Sequence, residues 1–238
     1  MKFGNRVDIK EIEFDNVSLR EGEGVIWFED ICLKFTPGQS IWIRGEDTAS
    51  RLLKIAAGLI VPTSGRVLIN GQDIHQMDFE EFLPYRLNLG YTFNLGGVLN
   101  NKTIKENLML PFLYHGASPE FAEKEVHEII SLFDLTRYQD FRPAGVPGVV
   151  RKLCCIGRAL AVTPQVLLMD DPTSSMKAHA VEGLRSWIKT RRQEASLMVI
   201  MASDHAELFY DWDYEILTVE NGRARWMANK STKKVADL

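Results

Sequence analysis

The chain has 238 residues, 45% of them hydrophobic, and its 28 basic and 32 acidic residues give a formal net charge of -4. That length and apolar share suffice for a substantial core in one domain, and the charges are interspersed without a basic stripe, which argues against nucleic acid as a partner. Three cysteines, Cys32 and the adjacent pair Cys154 and Cys155, form neither a disulfide framework nor a metal-ligand spacing; they read as small packing residues, with a redox role as the alternative.

The opening stretch MKFGNRVDIKEIEF alternates charged and apolar positions and lacks the continuous apolar run of a signal peptide. No stretch approaches the ~18 apolar residues of a spanning helix, and the nearest, IAAGLIV, ends at Pro62. A cytoplasmic protein without direct membrane insertion is expected. Next come short β-like runs, SIWIR (40 to 44), RVLI (66 to 69), VLLMD (166 to 170), SLMVIM (196 to 201) and EILTV (215 to 219). They alternate with helical patterns, which predicts an α/β fold. INGQ and ENGR each set Asn-Gly between β-like runs and predict hairpins. A helix is expected from Ser118 as cap and Pro119 as first residue, with Ala122, Val126, Ile129, Ile130 and Phe133 on one face. Two more run from about Val150 to Ala161 and from about Lys177 to Arg192, the last with Val181, Leu184 and Ile188 inward. There is no internal repeat, and only the tail ANKSTKKVADL (228 to 238) is expected to be flexible.

Nearly the whole chain resembles the nucleotide-binding subunit of ABC transporters. The pieces that carry the resemblance are TPGQSIWIRG, LLKIAAGLIVPTSGRVLINGQDI, LGYTFN, TIKENLMLP, IGRALAVTPQVLLMDDPTSS and ILTVENGRARW, in family order. It implies a single nucleotide-binding domain over residues 1 to 238. Its RecA-like P-loop NTPase core would be of the ABC ATPase type, with an antiparallel β subdomain and a helical subdomain at about 95 to 160. FNLGGVLNNKTIKENLMLPFLYH is similar to the matching stretch in ATPase subunits of Mla/Mce phospholipid transporters, which points to lipid transport.

The chemistry of that family is where the sequence departs. A P-loop reads G-x-x-x-x-G-K-[ST], because backbone amides curl around the phosphates, the lysine neutralises them and the hydroxyl holds Mg²⁺. Here Gly45 is followed by EDTASR and then Leu52 and Leu53, two residues fewer than the family loop, with no second glycine and no lysine. Glu46 and Asp47 place carboxylates where an anion would sit. Arg51 is the candidate substitute for the lysine, but a planar guanidinium on a shortened loop is not equivalent to it. The stretch reads as a strand-to-helix turn in which Gly45, Thr48, Ser50 and Arg51 are vestigial.

By the same resemblance, Asn94 stands for the glutamine that couples Mg²⁺ to the membrane partner, and VPGVV (146 to 150) for the signature LSGGQ. Pro147 removes a hydroxyl and a backbone donor, and Val149 replaces the glycine after Gly148. Ser203 aligns with the switch histidine, His205 reads as a surface residue, and Lys177 stands at the D-loop aspartate. No aromatic occurs near Arg20, where adenine would stack. VLLMDDP is retained, with Asp170 in place of the Mg²⁺-binding aspartate and Asp171 in place of the water-polarising glutamate, one methylene shorter. The other reading is that DDPTS merely caps a strand and begins a turn.

Phosphoryl transfer rests on positioning and charge neutralisation, and one lost donor typically costs ~10²- to 10³-fold. The expectation is therefore a pseudo-ATPase, a degenerate ABC-type subunit acting as a binding or scaffold component of a membrane transport complex. No cofactor is expected, with weak ATP/Mg binding at most. The expected partners are an integral membrane permease and an ATP-competent ABC subunit, with the chain peripheral at the inner face of the cell membrane. Docking is expected through Asn94 to Pro111, with Lys102 and Lys105 contributing. Two alternatives stay open: an active ABC transporter ATPase using Arg51, Asp170 and Asp171, and a regulatory scaffold outside transport.

Overall fold

A computed structural model of the chain describes residues 6–22, 24–94, 96–204 and 213–227, with only the backbone of Glu46. His205 and the tail from 228 to 238 lie outside the described residues.

Strands β1 (Ile12–Glu21) and β2 (Val25–Phe35) form a long antiparallel ribbon near the N-terminus. They escape a simple alternation reading because the ladder is irregular. Its register shifts between Phe14 and Val17 and again on either side of Leu19, and Asn16 and Asp30 adopt φ of 51° and 50°. Each bulge breaks the period of two on which strand recognition depends. Strand β3 (Ser40–Arg44) follows, then helix α1 (Glu46–Ala56), β4 (Ser64–Ile69) and β5 (Gln72–Asp73). The first sheet is antiparallel with order β2-β1-β4-β5. As the Asn-Gly pairs predict, Asn70 (φ 52°) and Gly71 (φ 79°) turn β4 into β5.

The second sheet holds β3 with β6 (Leu89–Thr92), β7 (Val166–Asp170), β8 (Met198–Ala202), β9 (Glu215–Glu220) and β10 (Arg223–Met227), in the order β10-β9-β3-β8-β7-β6. All neighbours are parallel except the β9-β10 hairpin, which turns at Asn221 and Gly222. Every residue of β7 and β8 is buried, which is why both read as unbroken apolar runs, as covered parallel strands do. Leu167, Met169, Val199 and Met201 face one core, and Val166, Leu168, Met198 and Ile200 face the other. The second core also takes α1 and the antiparallel sheet.

The first core is closed by α3 (Ile104–Tyr114), α4 (Pro119–Leu132), α5 (Gly148–Ala161) and α6 (Ala178–Ala195), while α2 (Phe79–Arg86) precedes β6. Ser118 caps α4 by accepting from the Phe121 amide, and Ala122, Val126, Ile129 and Ile130 are its buried face. Helix α5 starts at Gly148, two residues before the sequence boundary, and α6 keeps Leu184 and Ile188 inward. The sequence reading does not mark α2 and α3 as helices. Both contain an internal proline, Pro84 and Pro111, and lack a one-sided apolar stripe. Their signal is at the ends: Asp78 with Glu81, and Thr103 with Glu106, form complete capping boxes. Among the described residues no helix is long and apolar enough to cross a membrane.

Candidate functional site

The C-terminal ends of β7 and β8, with the segment after β6 and the first turns of α1, enclose a cavity of about 390 Å³. This is where ligands bind in open parallel sheets. Its lining includes Asp47, Ser50, Lys54, Asn94, Asp170, Asp171 and Ser203, so residues far apart in sequence meet here.

Only Gly45 separates β3 from α1. Its φ is 144°, and a Cβ there would stand 2.6 Å from the Val219 carbonyl oxygen, so the tight turn requires glycine. The helix begins at once, and the amides of Thr48 and Ala49 both donate to the Gly45 carbonyl, at 3.0 and 3.2 Å. Two amides that a longer loop could turn to a phosphate, those of Thr48 and Ala49, are spent on the first helical turn. Asp47 lines the cavity from that turn, whereas Thr48 does not line it and Ala49 is buried.

Ser50 Oγ donates to Asp170 Oδ2 at 2.6 Å. The Lys54 ammonium stands 4.0 Å from the same carboxylate oxygen. Lys54 is a site residue that the sequence reading missed; its signal is the four-residue spacing from Ser50, which puts both on one helical face. Arg51 is not in this cavity. Its guanidinium lies 3.3 Å above the Trp27 ring and 3.2 Å from Glu21 Oε2, which also accepts from Trp27 Nε1 at 2.9 Å. Arg51 thus lies on Trp27 and Glu21 and not in the cavity lining. One expectation is corrected: an aromatic does occur near Arg20, because Trp27 is brought there by the pairing of Arg20 with Ile26. The Trp27 face engaged by Arg51 is covered by the chain itself.

Asp171 has φ 44°, a left-handed conformation tolerated by aspartate, and its amide donates to the Ala202 carbonyl at 2.7 Å. Ser203 Oγ donates to Asp171 Oδ1 at 3.2 Å. From α5, Lys152 donates to the Asp171 carbonyl at 2.7 Å, to Asn94 Oδ1 at 3.4 Å and to the Ser174 hydroxyl, with its ammonium 3.9 Å from Asp171 Oδ2. Burial lowers the Lys152 pKa, and the charges of Asp171 and Asp170 oppose that. Nothing in local sequence marks Lys152, because its partners come from other elements.

Pro147 and Gly148 stand at the start of α5, away from the cavity lining. Pro147 offers no side-chain cap, and the carbonyls of Pro143 and Val146 accept from Arg151 Nη1 at 3.1 and 2.7 Å. Lys177 is the N-cap residue of α6 and gives no side-chain cap either. Among the described residues no group of three or more His, Cys, Asp or Glu side chains is arranged to hold a metal ion. Cys154 and Cys155 are buried and Cys32 is exposed, all as free thiols, and burial raises the Cys154 pKa to about 12.

A second concavity of about 460 Å³ opens between α2, β6, α3 and α5, with Phe79, Tyr91, Phe93, Pro111, Tyr114 and Arg158 in its lining. Phe79 and Tyr114 are 66% and 69% exposed. Lys102 and Lys105 are not in the lining. They sit in exposed ion pairs with Glu106 at 3.4 Å and Glu123 at 2.9 Å.

The sequence model of the family described as ABC transporter matches residues 28–174. The chain belongs to the ABC transporter family. It is 29% identical over 214 residues to a sulfate/thiosulfate import ATP-binding protein CysA of Synechocystis sp., covering 89% of this chain and 59% of that protein. It is 27% identical over 195 residues to a methionine import ATP-binding protein, MetN 2, of Paraburkholderia xenovorans, covering 81% of this chain and 50% of that one. The chain thus spans about half to three fifths of the length of these two relatives. Among solved structures it is similar to the dimeric ATP-binding cassette MJ0796 bound to ADP and Pi, with a TM-score of 0.81 at 22% identity, covering 92% of this chain and 99% of that one. That likeness establishes the fold, an ABC ATPase cassette with a mixed α/β core and an added antiparallel sheet.

Proposed function

We propose that this chain is a catalytically degenerate ABC-type subunit that serves a membrane transport complex as a binding or scaffold component. It docks on an integral permease at the cytoplasmic face and does not turn over ATP itself. The observation that carries the reading is the one-residue turn at Gly45, with the Thr48 and Ala49 amides already used inside α1. A triphosphate needs free amides and a positive charge at that spot. Asp170 and Asp171 stand where Mg²⁺ would be held, but Asp47 and Asp204 add further carboxylates to the lining, and the Lys54 ammonium is held 4.0 Å from Asp170. Like charge at close range in a partly buried cleft disfavours a polyanion. The residues present therefore do not fit Mg-ATP, and no hydrolytic step is assigned to them. An ATP-competent ABC subunit is the proposed source of turnover in such a complex.

The groove between α2 and α3 supports the docking half of the reading. It is a preformed concavity with exposed aromatic residues on its rim, the kind of surface that receives an apolar anchor. The phospholipid cargo suggested by the Mla/Mce-like stretch gains no support from the relatives, which are named for sulfate/thiosulfate and methionine import. The reading is tested by purifying the protein with its partners from native membranes and assaying ATP turnover of the complex and of the isolated chain. An integral membrane protein in the complex and no turnover by the chain alone are the expected results. Turnover by the isolated chain would favour the active-enzyme alternative, and absence of any membrane partner would favour a scaffold outside transport.

A further inference from the structure

The ammonium of Lys152 is surrounded by oxygen. The Asp171 carbonyl lies at 2.7 Å, the Ser174 carbonyl at 3.4 Å, Asn94 Oδ1 at 3.4 Å and Asp171 Oδ2 at 3.9 Å, and the Ser174 hydroxyl is in direct contact. The side chain is only 10% exposed. These oxygens come from the segment after β6 and from the turn after β7, while the lysine comes from α5. Surface ion pairs contribute little because water competes for both partners. A nearly buried ammonium with several oxygen partners is a different case, since removing it leaves the Asp171 carbonyl and the Ser174 hydroxyl without this donor.

We propose that Lys152 is the resident cation of an all-oxygen cage that clamps α5 to the end of β7 and to the segment after β6. Clusters of carboxylate, carbonyl, amide and hydroxyl oxygens are the ligand set of hard cations such as Ca²⁺ and Mg²⁺. In this chain the positive charge is built into the protein. The clamp has a consequence for the groove, which rests on the docking reading above. Phe93, next to Asn94, lines one side of the groove, and Cys155 and Arg158, on the helix that carries Lys152, line another. The cage fixes these sides relative to one another.

The test is Lys152→Ala, which deletes the charge and vacates the space of the ammonium. Thermal unfolding of the full chain is followed with no added divalent ion, with about 10 mM calcium chloride, and with potassium chloride at matched ionic strength. The expected result is a midpoint lowered by about 5 °C or more, at least half of which calcium restores by binding the emptied cage in the native state alone. Wild type should move by less than about 1 °C in the same calcium. An Ala variant that unfolds where wild type does would overturn the proposal, as would one that falls and is not restored by calcium. If the Ala variant does not fold, Ser174→Ala decides, because it removes one oxygen of the cage while leaving the lysine. A midpoint lowered by a few degrees supports the cage, and an unchanged midpoint overturns it. Unfolding curves do not depend on any membrane partner, so failure of the cage and failure of the docking reading are separate results.

Discussion

Ser50 Oγ donates a 2.6 Å hydrogen bond to Asp170 Oδ2, joining α1 to the end of β7 through two side chains. Asp170 is 6% exposed, and among the described residues the ammonium of Lys54 stands 4.0 Å from it. A hydrogen bond to a charged acceptor typically contributes ~1.5–3 kcal/mol. Ser50→Ala is expected to lower stability by about 2 kcal/mol in urea unfolding, with the m-value unchanged. A shift under ~0.5 kcal/mol would mean that Lys54 and water already satisfy the carboxylate.

Arg51 is engaged with Trp27 and Glu21 rather than with the cavity. Its side chain is 22% exposed, so the stacked cation should contribute about 1 kcal/mol. Arg51→Ala is expected to cost that much stability and to leave nucleotide affinity where it was. A fall in Mg-ATP affinity measured by calorimetry would return Arg51 to the site.

Two half-buried histidines are expected to lower stability in acid. Burial lowers the pKa of His75, opposed by Asp73, and burial followed by the charge of Arg6 lowers that of His115. Each native imidazole therefore resists the proton that the unfolded chain accepts near pH ~6.5. Protons bind preferentially to the unfolded state below that pH, so stability falls as the pH drops from about 7 through 6.5 and below. The pair His75→Gln and His115→Gln should flatten the dependence of the thermal midpoint between about pH 7.5 and 5.5. An unchanged slope in the double variant would show that other groups set it.

Docking should depend on the aromatic rim of the groove. Phe79→Asp and Tyr114→Ala are expected to reduce recovery of a membrane partner by about tenfold, the equivalent of one good anchor at ~1.4 kcal/mol. Lys102→Glu and Lys105→Glu should change it little, because neither lysine lines the groove. Recovery lost through the lysines and kept in the aromatic variants would place the contact on the exposed start of α3.

The parts of the fold that were legible in the sequence are those where local pattern and tertiary role agree. The all-apolar runs of β7 and β8, the Asn-Gly hairpins and the Ser118 cap each carry their own signal. Strands β1 and β2 were harder because bulges erase their period. The site was legible at Ser50, Asn94, Asp170, Asp171 and Ser203, which the cavity brings together. Lys54 was available from helical spacing. Lys152 and the Trp27–Arg51 stack were not, since each depends on contacts between elements that no local pattern encodes. Pro147 and Gly148 stand at the start of α5 and do not line the cavity.

A degenerate subunit and an active ATPase differ first in whether the chain holds nucleotide. Isothermal titration of the purified protein with Mg-ATP measures this directly. With the Thr48 and Ala49 amides bonded inside α1, the added carboxylates of Asp47 and Asp204 in the cavity and Arg51 on Trp27, any affinity is expected to be no tighter than about millimolar. A dissociation constant in the micromolar range would contradict the degenerate-subunit reading.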